Sequence, residues 1–475
     1  MTSLAELPGG CDVLVVGAGP AGLAAATEAA SLGLAVVLVD ENPAPGGQIY
    51  RAVDASPMSG AVLGPDYTHG RDLTAAFARS GAAYLPGAVT WSLSPDREVG
   101  ISAGGMSRIV EAGHVIIATG ALERPFPIAG WTLPGVMTCG AAQILLKTAG
   151  LAPAGEAAVL AGTGPLLYFL AWQYLRAGVR VRALLDTTPR GNWRRAARHL
   201  PVFLRSPYAR KGLTLLWAVR RKLRVIDGVT ALRAEGDGHL RHVIYRRRNG
   251  AETRIAADHL LLHQGVAPNI NLAAAAGCKI VWDDLQLCFR PEIDAWGASS
   301  LPGITVAGDG AGIAGALAAE HWGRIVALQA GYALGRISVS ERELRAVPHR
   351  RALAIASRGR AFLDRLYRPA KSFRLPAEDA IVCRCEEVGA QDLRDALALG
   401  CTGPNQLKSF TRCGMGPCQG RLCGLTVTEM IADARGLPPG EIGYYRLRPP
   451  VKPITLGELA AMPQDAAAVR AVVRG

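Results

Sequence analysis

The sequence predicts an α/β protein in which two nucleotide-type βαβ domains, the second inserted into the first, are followed by a small cysteine-bearing domain. Three observations carry this reading. A Gly17-x-Gly19-x-x-Gly22 turn follows a short apolar run at 12–17 and opens a helix-compatible stretch at 21–32. A related pattern restarts about 145 residues further on, where Gly-Thr-Gly-Pro-Leu-Leu stands against Gly-Ala-Gly-Pro-Ala-Gly. Six of the ten cysteines fall between positions 383 and 423, a clustering that needs its own cause. At 475 residues the chain is long enough for two or three domains with a sizeable core.

In chain order, residues 12–17 read as a buried strand, 21–32 as the helix after it and 35–40 as a second strand, a βαβ opening. In the turn between them, Gly17 makes the bend, Gly19 lets backbone approach a diphosphate, and Gly22 lets the helix pack on the strand. Pro20 sits just inside the helix start, where its missing N–H costs nothing. The helix N-terminus then offers N–H donors and a favourable dipole to an anion. Asp40, at the end of the second strand, is the expected acid for an adenosine ribose, with Glu41 as the fallback. Residues 115–118 form another buried strand running into Thr119-Gly120.

The second unit reads as strand 157–162, helix 166–177 and strand 179–186. Its fingerprint is Gly162-x-Gly164-x-x-Leu167, with leucine where close helix packing wants a small residue. That weakens the case for NAD(P), and the domain is expected to be retained chiefly as structure. The strand at 304–307 ends in Gly308-Asp309-Gly310 and most simply returns to the first sheet. The expected domains are therefore 1–125 with 286–335, an insertion at 126–285, a helical connector at 336–377, the cysteine domain at 378–435 and an extended tail at 436–475. Pro449, Pro450 and Pro453 oppose a helix in that tail.

Two close cysteine groups, brought together by the loop between them, offer four thiolates to a metal centre. Cys383 and Cys385 form one side. On the other, Cys413/Cys418 and Cys418/Cys423 have the same spacing, so spacing between the pairs leaves the choice open. Zinc accepts the same four thiolates, but the nucleotide fingerprint at the front of the chain favours an electron-carrying [2Fe–2S] cluster. Cys401 is read as structural, and the isolated Cys11, Cys139, Cys278 and Cys288 as small core residues. Neither βαβ unit carries a nearby Cys-x-x-Cys, so disulfide-reductase chemistry is excluded.

The net charge of +13 is unevenly placed: from Arg176 to Arg224 there are 14 Lys or Arg residues and one acid, Asp186. This basic stretch reads as a solvated face, a partner-docking face or a contact with an anionic membrane surface. It lacks any recognised nucleic-acid-binding motif, so no nucleic-acid partner is expected. The N-terminus lacks the basic n-region of a signal peptide, and the most apolar stretches are too short to span a bilayer. A cytoplasmic location is expected.

Residues 37–50, the Ala118-Thr119-Gly120 turn and the Gly308-Asp309-Gly310 turn resemble the FAD-contacting set of the two-dinucleotide-domain flavoproteins. The resemblance implies FAD, with Asp309 on the ribityl chain and Gly47-Gln48 against its flavin side. The cysteine segment is similar to the bacterioferritin-associated-ferredoxin-like [2Fe–2S] domain, in which roughly thirty residues separate the Cys-x-Cys from the next ligand. The 32-residue gap from Cys385 to Cys418 fits better than the 27-residue gap to Cys413. The resemblance therefore selects Cys383, Cys385, Cys418 and Cys423, with Cys413 in reserve.

The domain order, and Cys-x-Cys followed by Gly-Met-Gly-Pro-Cys-Gln-Gly-Arg-x-Cys, resemble the A (alpha) subunit of heteromeric amino-acid-oxidising dehydrogenases. These include opine (octopine/nopaline) oxidases, D-hydroxyproline dehydrogenases and hydrogen cyanide synthase. The resemblance implies a subunit that receives and passes on electrons, while a D-amino-acid-oxidase-like FAD partner oxidises the C–N bond. The implied sequence runs from partner to flavin to [2Fe–2S] and on to an acceptor, such as a small ferredoxin-like subunit or a membrane quinone. It also allows a second flavin, FMN, at a subunit interface. The rival expectation is a self-contained NAD(P)H-dependent flavin reductase.

Overall fold

The computed structural model describes residues 3–7, 9–153, 158–248, 250–377 and 379–462. Ala157 at the expected start of the second unit, residue 378 at the expected start of the cysteine domain, and tail positions 463–475 lie outside the described residues. The chain opens with β1 (Gly10–Val16), α1 (Pro20–Ser31) and β2 (Val36–Asp40), each within two residues of its expected bounds. Pro20 is the first residue of α1 and Gly19 caps it. A Cβ on Gly22 would lie 1.8 Å from the Gly17 carbonyl oxygen, so only glycine lets the helix rest on the strand here. Strands β3 (Ala83–Pro86), β4 (Val89–Leu93), β5 (Glu98–Ala103) and β6 (Met106–Ile117) follow.

The strand expected at 115–118 is the end of the longer β6. Its first half pairs antiparallel with β5 and alternates exposed and buried side chains; its second half lies beside β1 and is buried on both faces. Only that second half carries the continuous apolar run that marks a central parallel strand in a sequence.

The chain then leaves this sheet. β7 (Val136–Thr138), α2 (Cys139–Ala149), β8 (Ala158–Thr163), α3 (Pro165–Arg176), β9 (Val181–Asp186), α4 (Tyr208–Lys222), β10 (Val225–Asp227) and β11 (His259–Gln264) build a second unit. Its strands form a parallel sheet in the order β10-β9-β8-β11-β7. An antiparallel three-stranded sheet shares its core, with Leu232, Val243 and Tyr245 packed among Val159, Leu185 and Leu262. The two units are also joined through a buried amide: Gln173 Nε2 donates to the Leu63 carbonyl at 3.0 Å, while its Oε1 accepts from Gln143 Nε2 within the second unit at 2.8 Å.

β12 (Ile304–Val306) returns to the first sheet, pairing parallel with β6 and completing seven strands. α5 (Ala316–Ala333) then packs on α1 through small residues, Ala21, Ala25 and Ala29 meeting Ala319, Ala327 and Ala330. The connector is helical, led by α6 (Val339–Ala356), whose N-terminus is capped by the Ser338 hydroxyl accepting the Glu341 N–H at 3.2 Å.

In the cysteine domain, α7 (Ala390–Ala398), α8 (Pro404–Thr411) and α9 (Gly424–Arg435) enclose Leu393, Leu407, Val427 and Ile431 together with Cys383, Cys413 and Cys423. The domain is anchored by polar contacts across buried surface. The buried Glu429 carboxylate meets Arg124 at 3.8 Å and also pairs with Arg374, while Trp131 Nε1 donates to the Ile381 carbonyl at 2.7 Å. The tail departs from expectation: short helices at Pro439–Ile442 and Leu456–Ala460 flank the proline-containing segment, which alone is extended. Among the described residues no helix is long and apolar enough to cross a membrane.

One buried group ties this fold to pH. His114 on β6 lies 3.1 Å through Nε2 from the Thr305 hydroxyl of β12, and burial holds its pKa down to about 4. The folded state keeps the imidazole neutral, whereas the unfolded chain gains a proton below about pH 6.5. Stability from this site is present above that value and falls as pH drops towards 4, by about 3 kcal/mol at most. Denaturation midpoints compared at pH 7 and pH 4.5 should fall further for the wild type than for His114→Gln. Equal falls would remove His114 as the cause.

Candidate flavin cavity and cysteine centre

At the carboxyl ends of β1, β6 and β12 the first sheet opens on a cavity of about 320 Å³. Gly17, Gly19, Asp40, Glu41, Gly47, Gln48, Thr119, Gly120, Gly308 and Asp309 all line it. Gly22, the remaining expected residue, stands behind the turn, where its missing side chain lets α1 aim its N-terminus at the cavity.

Asp40 is already engaged by the chain. Its Oδ2 accepts the Ala18 N–H at 2.5 Å, and its Oδ1 accepts both the backbone and side-chain N–H of Asn42 at 2.7 Å. It thus ties the glycine turn to the end of β2. Glu41 reaches the rim, where its carboxylate pairs with Lys452 at 2.6 Å. Asp309 Oδ1 accepts the N–H groups of Ala314 and Gly315 at 2.8 and 2.9 Å, folding the loop that leads to α5. Thr119 donates to the Asn269 carbonyl at 3.1 Å, and Asn269 N–H returns to Gly120 O at 2.9 Å. A glycine turn with no room for side chains, a helix N-terminus and acids at both ends form a cradle that fits a flavin dinucleotide.

The structure adds residues that no local motif announced. Asn269, Asn271, Arg421, Val451 and Lys452 also line the cavity, delivered from the insertion, the cysteine domain and the tail. Lys147 of α2 donates to the carbonyls of Gln48 and Ile49 at 3.2 and 2.9 Å and to Gln143 Oε1 at 2.9 Å. Burial brings its ammonium down to about 7. An isolated lysine on an apolar helix gives no sequence signal of such a role.

The cysteine centre gathers five thiols. The sulfurs of Cys383, Cys413 and Cys423 lie within 4.8 Å of one another, all buried. Cys385 and Cys418 form a second, partly exposed pair, in which Cys385 sulfur meets both the backbone N–H and the thiol of Cys418. The expected set thus splits into Cys383 with Cys423 and Cys385 with Cys418, and the reserve Cys413 stands beside the first pair. The two strands of the loop can approach because Gly416 has no side chain: a Cβ there would lie 2.2 Å from Cys385 Cβ. Cys401 is buried apart from the others, its thiol 3.5 Å from the Gly403 carbonyl.

Charge in the centre is shared unequally. Hydrogen bonds from the Cys413 and Cys423 thiols and from the Gly414 and Glu386 N–H groups pull Cys383 down to about 2. In return its thiolate pushes Cys413 up to about 12 and Cys423 well up. Cys383 is thus the most readily ionised of the three, and its charge opposes ionisation of its two neighbours.

The second unit keeps the nucleotide-fold shape but fills its own polar positions. Leu167 is wholly buried, and Asp186, at the end of β9, accepts the Tyr168 hydroxyl and the Thr188 N–H, the latter at 2.7 Å. The acid that would meet a ribose is occupied by the helix that follows the turn.

Comparison with known proteins accords with this geometry. The pyridine nucleotide-disulphide oxidoreductase family matches residues 11–331, and the sarcosine oxidase A3 domain matches residues 377–463. The opine oxidase A subunit of Rhizobium meliloti is 50% identical, over 97% of this chain and 89% of its own length. The chain belongs to the family of opine oxidase A subunits. A second opine oxidase A subunit, from Agrobacterium tumefaciens (strain Ach5), is also 50% identical, across 97% of this chain and 93% of that one. Hydrogen cyanide synthase subunit HcnB of Pseudomonas aeruginosa is 33% identical over 93% and 96% of the two chains. Among solved structures, L-proline dehydrogenase from P. horikoshii shares the fold, with a TM-score of 0.69 at 20% identity over 95% of this chain and 79% of that one. The expected two-dinucleotide-domain flavoprotein fold is therefore present, and this member of the opine oxidase family is a flavin-dependent oxidoreductase subunit.

The division of the thiols can be tested by substitution. Cys418→Ser is expected to lose bound iron, because it removes half of the Cys385–Cys418 pair, whereas Cys413→Ser should retain most of it. Iron per chain after anaerobic purification is the measurement, and equal losses would contradict the assignment.

Proposed function

We propose that this chain is the electron-transfer subunit of a heteromeric dehydrogenase that oxidises an opine or amino acid at its C–N bond. Substrate oxidation would take place on a D-amino-acid-oxidase-like FAD partner subunit. The observation that carries the reading is a shared wall. Arg421, between Cys418 and Cys423, lines the flavin cavity, and Asn271, which also lines it, donates to the Gln419 carbonyl at 2.9 Å. A flavin site and a thiol centre in contact within one chain are the parts a relay needs. The relatives add support, since the opine oxidase A subunit, HcnB and the sarcosine oxidase alpha subunit are each named as one subunit of an enzyme, two of them oxidases.

In this reading FAD lies in the cavity, with Gly17, Gly19, Gly47, Gly120 and Gly308 giving backbone access and Gly22 seating α1 behind the turn. Asp40, Glu41, Gln48, Thr119 and Asp309 are its polar neighbours. A [2Fe–2S] cluster is held by Cys383, Cys385, Cys418 and Cys423. When bound there, FAD supplies two-electron acceptance and the cluster supplies one-electron transfer. The chain's own residues hold the two sites in register, and among the described residues no cysteine lines the cavity itself.

The reading extends to partners and place. The opine class is favoured by the identity to opine oxidase subunits, with D-hydroxyproline and glycine as the other substrate classes. FMN at a subunit interface and a small ferredoxin-like subunit complete the proposed relay, in the cytoplasm. The basic helix α4 exposes Leu213 and Trp217, 59% and 63% accessible, among arginines and lysines, which suits peripheral contact with the anionic inner face of a membrane.

The chain purified anaerobically should carry flavin and iron, and stoichiometric zinc without iron would overturn the relay. In anaerobic stopped-flow at flavin absorbance, NADH and NADPH alone should bleach the flavin slowly or not at all, because the buried Leu167 fills the position where close helix packing wants a small residue. Addition of the partner subunit with an opine or a secondary amino acid should bring fast reduction. Fast bleaching by NAD(P)H alone would establish the self-contained reductase instead.

A further inference from the structure

Among the described residues that line the flavin cavity, the domain that forms it contributes no lysine or arginine, although Arg51 stands just behind the wall, bonded to Asn42, Gly47 and Gln48. Three carboxylates line the cavity, Asp40, Glu41 and Asp309. Among the described residues that line it, the lysines and arginines are Arg421 and Lys452, and neither belongs to the sheet that carries the glycine turn. A dinucleotide brings a diphosphate with about two further negative charges. Backbone N–H groups and the α1 dipole attract it, and the side-chain cations on the cavity wall are Arg421 and Lys452.

Both cations are held in place by the same short strap. The Val451 N–H donates to the Trp91 carbonyl of β4 at 2.8 Å, which pins the tail across the first sheet. Arg421 donates from the cysteine loop to the Val451 carbonyl at 2.9 Å, and the next residue, Lys452, closes on Glu41 at 2.6 Å. The strap therefore fixes a guanidinium beside the cavity and neutralises the rim carboxylate of Glu41, one of the three negative charges around the site. Fixed guanidinium groups suit phosphate oxygens because their parallel donors match them.

We propose that the cysteine domain and the tail complete the FAD site, Arg421 acting as the counter-charge of the diphosphate and Lys452 as the residue that masks Glu41. Flavin retention is thereby linked to the integrity of the C-terminal cysteine domain and tail. The inference rests on the reading of the cavity as an FAD site and adds binding residues to it. It has a structural corollary: Arg421 lies between two proposed cluster ligands, so the segment that grips the cluster also grips the flavin.

The test uses the full chain, freed of flavin and titrated with FAD, with binding read from quenching of flavin fluorescence. Wild type is compared with Arg421→Gln, Lys452→Gln and the double variant, and iron content with visible circular dichroism reports on the cluster in each. Each single change should weaken FAD binding about tenfold, and the double more. ADP should displace FAD from wild type far better than adenosine does, and this preference should shrink in the variants. Lys452 is remote from the cysteines in the chain, so Lys452→Gln decides the matter even if Arg421→Gln fails to load iron. Unchanged FAD affinity and unchanged ADP preference in a Lys452→Gln protein with normal iron would overturn the inference. Failure of the wild type to bind FAD would instead overturn the cavity assignment on which it rests.

Discussion

The register of Ile304–Val306 against Val115–Ile117 governs this molecule. Three residues of parallel pairing bring the strand end at Gly308-Asp309 beside the strand end at Thr119-Gly120, although the two lie far apart in sequence. A parallel pair cannot close by a tight turn and needs a long crossover. Here the crossover has grown into a whole second domain. Shifting that register by one residue would turn the apolar side chains of β12 to the opposite faces of the sheet and separate the two turns that frame the cavity.

The cysteine domain is held to this frame by interactions that are expensive to bury singly and acceptable only as a set. Glu429 is almost fully buried between Arg124 and Arg374, and burial lowers the pKa of both guanidinium groups. A buried ion pair gains little over a well-packed apolar contact, but losing one member leaves a charge stranded, at about 3–5 kcal/mol. Such a contact therefore specifies one docking arrangement more than it stabilises. Trp131 and Asn271 reinforce the same arrangement with hydrogen bonds to the Ile381 and Gln419 carbonyls. The position of the thiol centre relative to the flavin cavity is thus set by directional contacts and not by apolar area alone.

The second nucleotide-type unit has a structural task of its own in this molecule. Its sheet, helix and glycine turn remain, because they carry a shared core reaching from Leu160 and Tyr168 to Tyr50 and Leu63. Its ribose-side acid is bonded to Tyr168, and its helix α2 contributes Lys147 to the loop beside the flavin cavity. A basic outer surface and a supporting inner one are the contributions of this domain visible in the structure.

Sequence alone determined the elements whose signals are local. The glycine turn, the acid at the end of β2, the Thr119-Gly120 and Gly308-Asp309 turns and the Cys-x-Cys could be read because backbone sterics and chain spacing act over a few residues. The return of residues 304–307 to the first sheet was legible for a related reason, since a lone parallel strand must find a partner sheet. The thiols were legible as a group but not in their arrangement: the placing of Cys413 against Cys383 and Cys423 depends on how the Gly416 loop folds on Cys385. The use of Asp40 to hold the glycine turn, and the arrival of Arg421 and Lys452 at the cavity, were decided only by tertiary structure. Hydrogen bonds and charge pairs act through space over a few ångströms, and residues hundreds of positions apart leave no mark on one another in the linear pattern.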